Sequence, residues 1–134
     1  MTTSTLSINS LFSVEDLRVV ITGGGSGMGA AMARTLAANG ATVFVLGRRS
    51  GPLEETAKAA ADEGPTGMIH TIQCDVTSKA DLKAAAEKVK EKTPFLDALV
   101  LSSGTPGPPL PFPMGPSGPN LEALQEALWE TPCC

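Results

Sequence analysis

Thr22-Gly23-Gly24-Gly25-Ser26-Gly27-Met28-Gly29 is the stretch on which the reading of this chain turns. Immediately before it, Leu17-Arg18-Val19-Val20-Ile21 is a short β-branched apolar run that predicts a strand buried on both faces. Immediately after it, Ala30 to Ala38 is rich in helix formers, and Met28, Met32 and Leu36 are spaced to share one helix face. Strand, glycine loop and helix in that order leave backbone N–H groups unpaired at the helix start, where the macrodipole favours an anion. A pyrophosphate cradle is the expectation. A Cβ here would block the tight turn, the phosphate approach or the helix–strand contact. A glycine-rich turn can also be nothing more than a loop; the flanking strand and helix favour the dinucleotide reading.

Working outward, Asn39-Gly40 carries a helix C-cap signal, and Ala41 to Leu46 is a second continuous apolar strand. The stretch makes a βαβ unit of roughly thirty residues, with parallel strands and a right-handed crossover. Gly47-Arg48-Arg49 follows. A dinucleotide fold that prefers NAD usually has Asp or Glu at this point, to hold the ribose 2′-hydroxyl. Glycine removes that carboxylate's repulsion, and guanidinium groups offer bidentate donors to a 2′-phosphate. NADP is therefore expected over NAD, with Arg48 the better phosphate ligand. The bland alternative is a solvated loop before a helix, and one of Arg48 and Arg49 is expected to be just that.

Pro52 occupies an N1-like position, with Leu53 to Asp62 continuing the helix and Glu54 and Glu55 in its first turn. Gly64-Pro65-Thr66-Gly67 breaks it, and Met68 to Cys74 is the third strand. His70 alternates with apolar neighbours and reads as a strand residue rather than a general base. Asp75 ends the strand, and Ser78-Lys79-Ala80-Asp81 has capping-box spacing. The helix Asp81 to Lys92 turns Leu82, Ala85, Ala86 and Val89 inward and its charges to solvent. After Pro94, Phe95 to Leu101 is the fourth strand, ending in Ser102-Ser103-Gly104.

The spacing Thr-Gly-x-x-x-Gly-x-Gly resembles the short-chain dehydrogenase/reductase family, from about Leu11 to Pro132. The resemblance implies a Rossmann-type α/β fold: a doubly wound parallel sheet, here truncated to about four strands in the order 3-2-1-4. It implies cofactor contacts from Thr22, Gly23, Ser26, Gly27, Met28 and Gly29. Asp75 would meet the adenine amino group and Val76 would pack on the ring, although Asp75 also serves simply as a strand end. In most relatives the fourth-strand corner reads Asn-Asn-Ala-Gly and borders the nicotinamide ribose. Here Leu101-Ser102-Ser103-Gly104 stands there, keeping Gly104 and substituting Ser103 for alanine.

Relatives of this kind move a proton with a Tyr-x-x-x-Lys pair and polarise a carbonyl with a serine in a later half. The chain has no tyrosine, so no catalytic residue is assigned, and Asn120 is not given the family asparagine's role. Two readings stand. One is the cofactor-binding portion of an NADP-dependent oxidoreductase acting on a small ketone or secondary alcohol, similar to 3-oxoacyl carrier-protein reductases. The other is a truncated, inactive nucleotide-binding module.

Composition narrows the rest. A net charge of −4 argues against nucleic acid or an anionic membrane as partner. No apolar run reaches membrane-span length. Residues 1–10 carry no basic residue and are expected to be a disordered leader, with a cytoplasmic location. Cys74, Cys133 and Cys134 have no metal-ligand spacing, so no metal is expected. The domain plan places the dinucleotide-binding half at 11–104. Residues 105–119 follow as a loop with seven prolines and three glycines, expected to form neither helix nor ladder. Its P-x-x-P spacings would suit an SH3-like groove but lack flanking basic residues; a substrate-side loop is the more natural reading. Residues 120–134 are read as a short helix and tail. A fourth strand left at the edge would template self-association.

Overall fold

The computed structural model describes residues 11–64, 66–104, 114–115 and 118–119. The chain divides into two units, Met1–Gly104 and Thr105–Cys134. In the first, β1 (Arg18–Thr22), β2 (Thr42–Gly47), β3 (Met68–Gln73) and β4 (Ala98–Leu101) alternate with α1 (Gly27–Ala38), α2 (Ser50–Asp62) and α3 (Lys79–Lys92).

The strands pair in parallel in the order β3-β2-β1-β4, as expected from the sequence. Two-residue periodicity sorts their side chains onto two faces. Val19, Ile21, Val43 and Val45 join Ala33 and Ala37 of α1 and Leu53 and Ala60 of α2 in one core. The alternate residues Val20, Phe44, Leu46 and Ile72 meet Ala85 and Val89 of α3 in the other. Helices thus cover both faces, and the centres of β1 (Val19–Ile21) and β2 (Val43–Leu46) are apolar without interruption because neither face meets water there.

Several local expectations change. Met28 is exposed; the buried stripe of α1 is Gly29, Ala33 and Ala37, with Met32 and Leu36 only packed at its margin. Small residues let α1 lie close to the sheet, which spacing alone does not reveal. Leu11 and Phe12, ahead of β1, are exposed. α2 begins at Ser50 with Arg49 as N-cap, so Pro52 is its third residue and no acidic residue lies in the first turn. The proline still fits, because N–H groups there have no helical partner. α3 buries only Ala85 and Val89, leaving Leu82 and Ala86 exposed.

β4 is shorter than its apolar run. Asp97 brackets its start, donating its N–H to the Arg18 oxygen at 2.9 Å and accepting the Arg18 N–H on Oδ2 at 2.8 Å. Phe95 lies outside the ladder, under the Arg18 guanidinium at 4.3 Å from the ring centroid.

The second unit contains β5 (Met114–Gly115) paired antiparallel with β6 (Gly118–Pro119), within a stretch expected to form no ladder. A rung this short is all edge, where the missing proline N–H is tolerated. The leader at 1–10 and the helix expected over 121–130 lie outside the described residues. Among the described residues no helix is long and apolar enough to cross a membrane.

Candidate functional site

Every parallel strand ends on the same side of the sheet. That edge gathers the glycine loop after β1, Gly47-Arg48-Arg49 after β2, Asp75-Val76 after β3 and Ser102-Ser103-Gly104 after β4. The order 3-2-1-4 puts the reversal of strand order between β1 and β4, the position where open α/β sheets form a ligand crevice.

The glycine loop is built by close approaches. Gly23 has φ +71°, and a Cβ there would stand 2.8 Å from the Ser102 oxygen at the end of β4. At Gly29, the third residue of α1, a Cβ would collide with the Gly23 carbonyl oxygen, backbone against backbone. The Gly23 and Gly24 amides are already used, both donating to the Leu46 oxygen, at 2.8 and 3.2 Å. The amides of the first turn, Gly27, Met28 and Gly29, lie too early to bond within the helix. Ser26 is the N-cap, extended, and its side chain makes no cap hydrogen bond. The start of α1 is therefore left for an external anion, with Ser26, Gly27 and Met28 exposed around it.

Thr22 is buried, and its hydroxyl accepts the N–H groups of both Ser102 and Ser103 at 3.2 Å. It ties the β4 corner to the glycine loop. Ser103 and Gly104 are exposed beyond that tie.

Arg48 and Arg49 are both exposed at the end of β2. Arg48 lies near Asp75, and its charge contributes to holding the Asp75 carboxyl below its ordinary value. The larger causes are the N–H and hydroxyl of Thr77, which donate to Asp75 Oδ1 at 2.9 and 2.7 Å. Asp75 thus forms an Asx turn that carries Val76 at its bend. Its own N–H donates to Asp81 Oδ2 at 3.2 Å. The capping box is consequently rearranged. Ser78 accepts the Asp81 N–H as N-cap, but Asp81 takes the Ser78 hydroxyl and the Asp75 amide instead of the Ser78 amide.

Sequence reading missed Gln73, whose Nε2 donates to the Arg48 backbone oxygen at 2.9 Å. No local signal announces it, since the partners are joined only by the β2–β3 register. His70 stacks on Phe44 with centroids 5.0 Å apart, and burial together with the charge of Lys92 pushes its pKa down, so the ring is neutral and structural. Cys74 is buried and free; burial, then Asp81 and Asp75, push its thiol up, which disfavours the nucleophilic thiolate. No three metal-ligating side chains cluster among the described residues.

Residues 18–131 match the sequence pattern described as short chain dehydrogenase. The short-chain dehydrogenase/reductase VdtF of Byssochlamys spectabilis is 44% identical over 105 residues, covering 78% of this chain and 33% of the relative. PhomF of Diaporthe leptostromiformis is 37% identical over 127 residues, covering 95% of this chain and 42% of the relative. A short-chain type dehydrogenase/reductase from Mycobacterium marinum superposes with a TM-score of 0.71 at 28% identity, over 90% of this chain and 46% of that one. The actinorhodin polyketide ketoreductase solved with NADPH gives 0.61 at 34% identity, over 69% of this chain and 34% of that one. The chain spans between a third and a half of the length of these relatives. With a Rossmann-like sheet, a glycine-built helix start and a family match over most of its length, the chain belongs to the short-chain dehydrogenase/reductase family and carries its NAD(P)-binding half.

Proposed function

We propose that this chain binds NADP(H) and does not turn over substrate on its own. The observation that carries the first part is the end of β2. There Gly47 stands where an acidic residue would exclude a 2′-phosphate, and two exposed arginines follow it. The start of α1 fits a diphosphate: free first-turn amides, no side-chain cap, and glycines that keep Cβ atoms out of the approach. Arg48 would take the 2′-phosphate, Asp75 and Val76 the adenine, and Ser103 and Gly104 the ribose at the reacting end.

Bound nicotinamide supplies hydride transfer. Proton delivery in a reductase needs an acid of matched pKa within hydrogen-bond reach. The chain contains no tyrosine, and among the described residues the carboxylates at this edge, Asp75 and Asp81, already hold other groups. Asp75 closes a turn and Asp81 bridges two amino-acid neighbours. In a longer protein carrying this half, the substrate would be a small ketone or secondary alcohol. For this chain alone, the missing tyrosine favours a nucleotide-binding module. A free buried thiol suits a reducing compartment, and we place the chain in the cytosol. Among the described residues no strand pairs with the outer edge of β4, and that edge would offer a surface for a second copy.

Fluorescence titration with NADPH and NADH, and absorbance at the reduced-nicotinamide band with a ketone panel, test this reading. The wild type is expected to bind NADPH more tightly and to show no NADPH oxidation. Arg48→Asp is expected to weaken NADPH by about ten- to a hundredfold, the range for losing a charge-assisted contact, and NADH much less. Equal losses for the two cofactors remove Arg48 from the phosphate, and measurable turnover refutes inactivity.

A further inference from the structure

The parallel ladder between β2 and β3 runs one step past the strands, with Cys74 N–H donating to the Gly47 oxygen at 2.9 Å. The next carbonyl, that of Arg48, has no backbone partner on β3. Gln73, which pairs with Gly47 in register, supplies one through its side-chain amide. Among the described residues no other side chain hydrogen-bonds to the Gly47-Arg48-Arg49 turn. The bond fixes a peptide plane. No peptide bond described here is cis, and in a trans peptide the N–H points opposite to the C=O. Holding the Arg48 oxygen toward the Gln73 side chain therefore turns the Arg49 N–H away from Gln73. The same plane sets the course of the chain between Arg48 and the α2 N-cap, Arg49.

We infer that Gln73 is a positioning residue for 2′-phosphate recognition, acting through the Arg48–Arg49 peptide. This rests on the NADP reading above. Gln73 acts through the backbone; its amide orients the turn from which Arg48 would meet the phosphate.

The test titrates the full 134-residue chain with 2′,5′-ADP and 5′-AMP, two probes that differ only in the 2′-phosphate. Gln73→Met keeps the side-chain length and removes the donor; Gln73→Glu sets an acceptor against the Arg48 oxygen. Gln73 is exposed, so neither change disturbs the core. The wild type is expected to bind 2′,5′-ADP more tightly. Its preference over 5′-AMP should fall roughly three- to tenfold in Gln73→Met, the span expected for one hydrogen bond, and further in Gln73→Glu. Should Gln73→Met fail to fold by circular dichroism, Gln73→Asn takes its place, being too short to reach the carbonyl. A purely structural role weakens both probes together and leaves their ratio unmoved. An unmoved ratio in a wild type that prefers 2′,5′-ADP overturns the inference and leaves the NADP reading standing. A wild type that binds the two probes equally, or binds neither, overturns both.

Discussion

At the scale of single residues, the candidate site is held by side chains that do two things at once. Thr22 is part of the glycine motif, yet its hydroxyl accepts two amides from the β4 corner. Asp75 closes its own turn before any ligand arrives, so its carboxylate is prearranged. That prearrangement has a pH signature. With its folded pKa below the ordinary value of 3.8, mainly through Thr77, Asp75 adds stability that is fully present above 3.8. The contribution is lost as pH falls through the lower folded value, because protonation is then no longer opposed. Thermal melts from neutral pH to pH about 2, spanning the range where carboxylates titrate, should show Asp75→Asn destabilised at pH 7. The gap to wild type should close at the acid end; a gap independent of pH would remove the carboxylate from the turn's stability. The motif residues were legible in the sequence because glycine, proline and acidic residues signal local geometry. Gln73 was not, because its partner lies on another strand.

At the scale of elements, the helices report where sequence patterns mislead. Apolar spacing in α1 pointed to Met28, Met32 and Leu36, whereas the buried stripe is Gly29, Ala33 and Ala37. A helix drawn tight against a sheet buries its smallest residues, since larger ones would hold it away. Gly29→Ala tests this closeness. A methyl group there meets the Gly23 carbonyl, backbone that cannot rotate aside, so α1 or the glycine turn must move. The expected loss is on the order of 1–3 kcal/mol, typical of overpacking, read by urea denaturation. NADPH affinity should fall as the first-turn amides shift. Unchanged stability together with unchanged binding would mean the contact is slack. The strands, by contrast, were legible as continuous apolar runs separated by crossover-length helices, and their order followed from the family resemblance.

At the scale of the whole molecule, β4 is the exposed flank of the sheet. Leu99 is 60% and Leu101 76% exposed, on the face that α3 covers elsewhere. Because the Asp97 N–H bonds to Arg18, alternation turns the amides of Asp97, Leu99 and Leu101 toward β1 and those of Ala98 and Val100 outward. An open, apolar edge of this kind recruits another strand. Sedimentation velocity over a concentration series should show association in the wild type. Ala98→Pro removes an outward donor without breaking a bond to β1, and Leu99→Lys places a charge on the bare face. Each is expected to shift the distribution toward monomer; a wild type that stays monomeric would refute the edge as an interface. The sequence by itself determined the strand–glycine–helix motif and the apolar strand runs, because these follow from local conformation and from periodicity along the chain; the order 3-2-1-4 came from the family resemblance that the motif carries. Only the tertiary structure decided which residues α1 and α3 bury, where Asp75 and Asp81 direct their carboxylates, and that Gln73 holds the Arg48 carbonyl. Those depend on which groups the register of parallel strands brings side by side, and distance along the chain does not encode that.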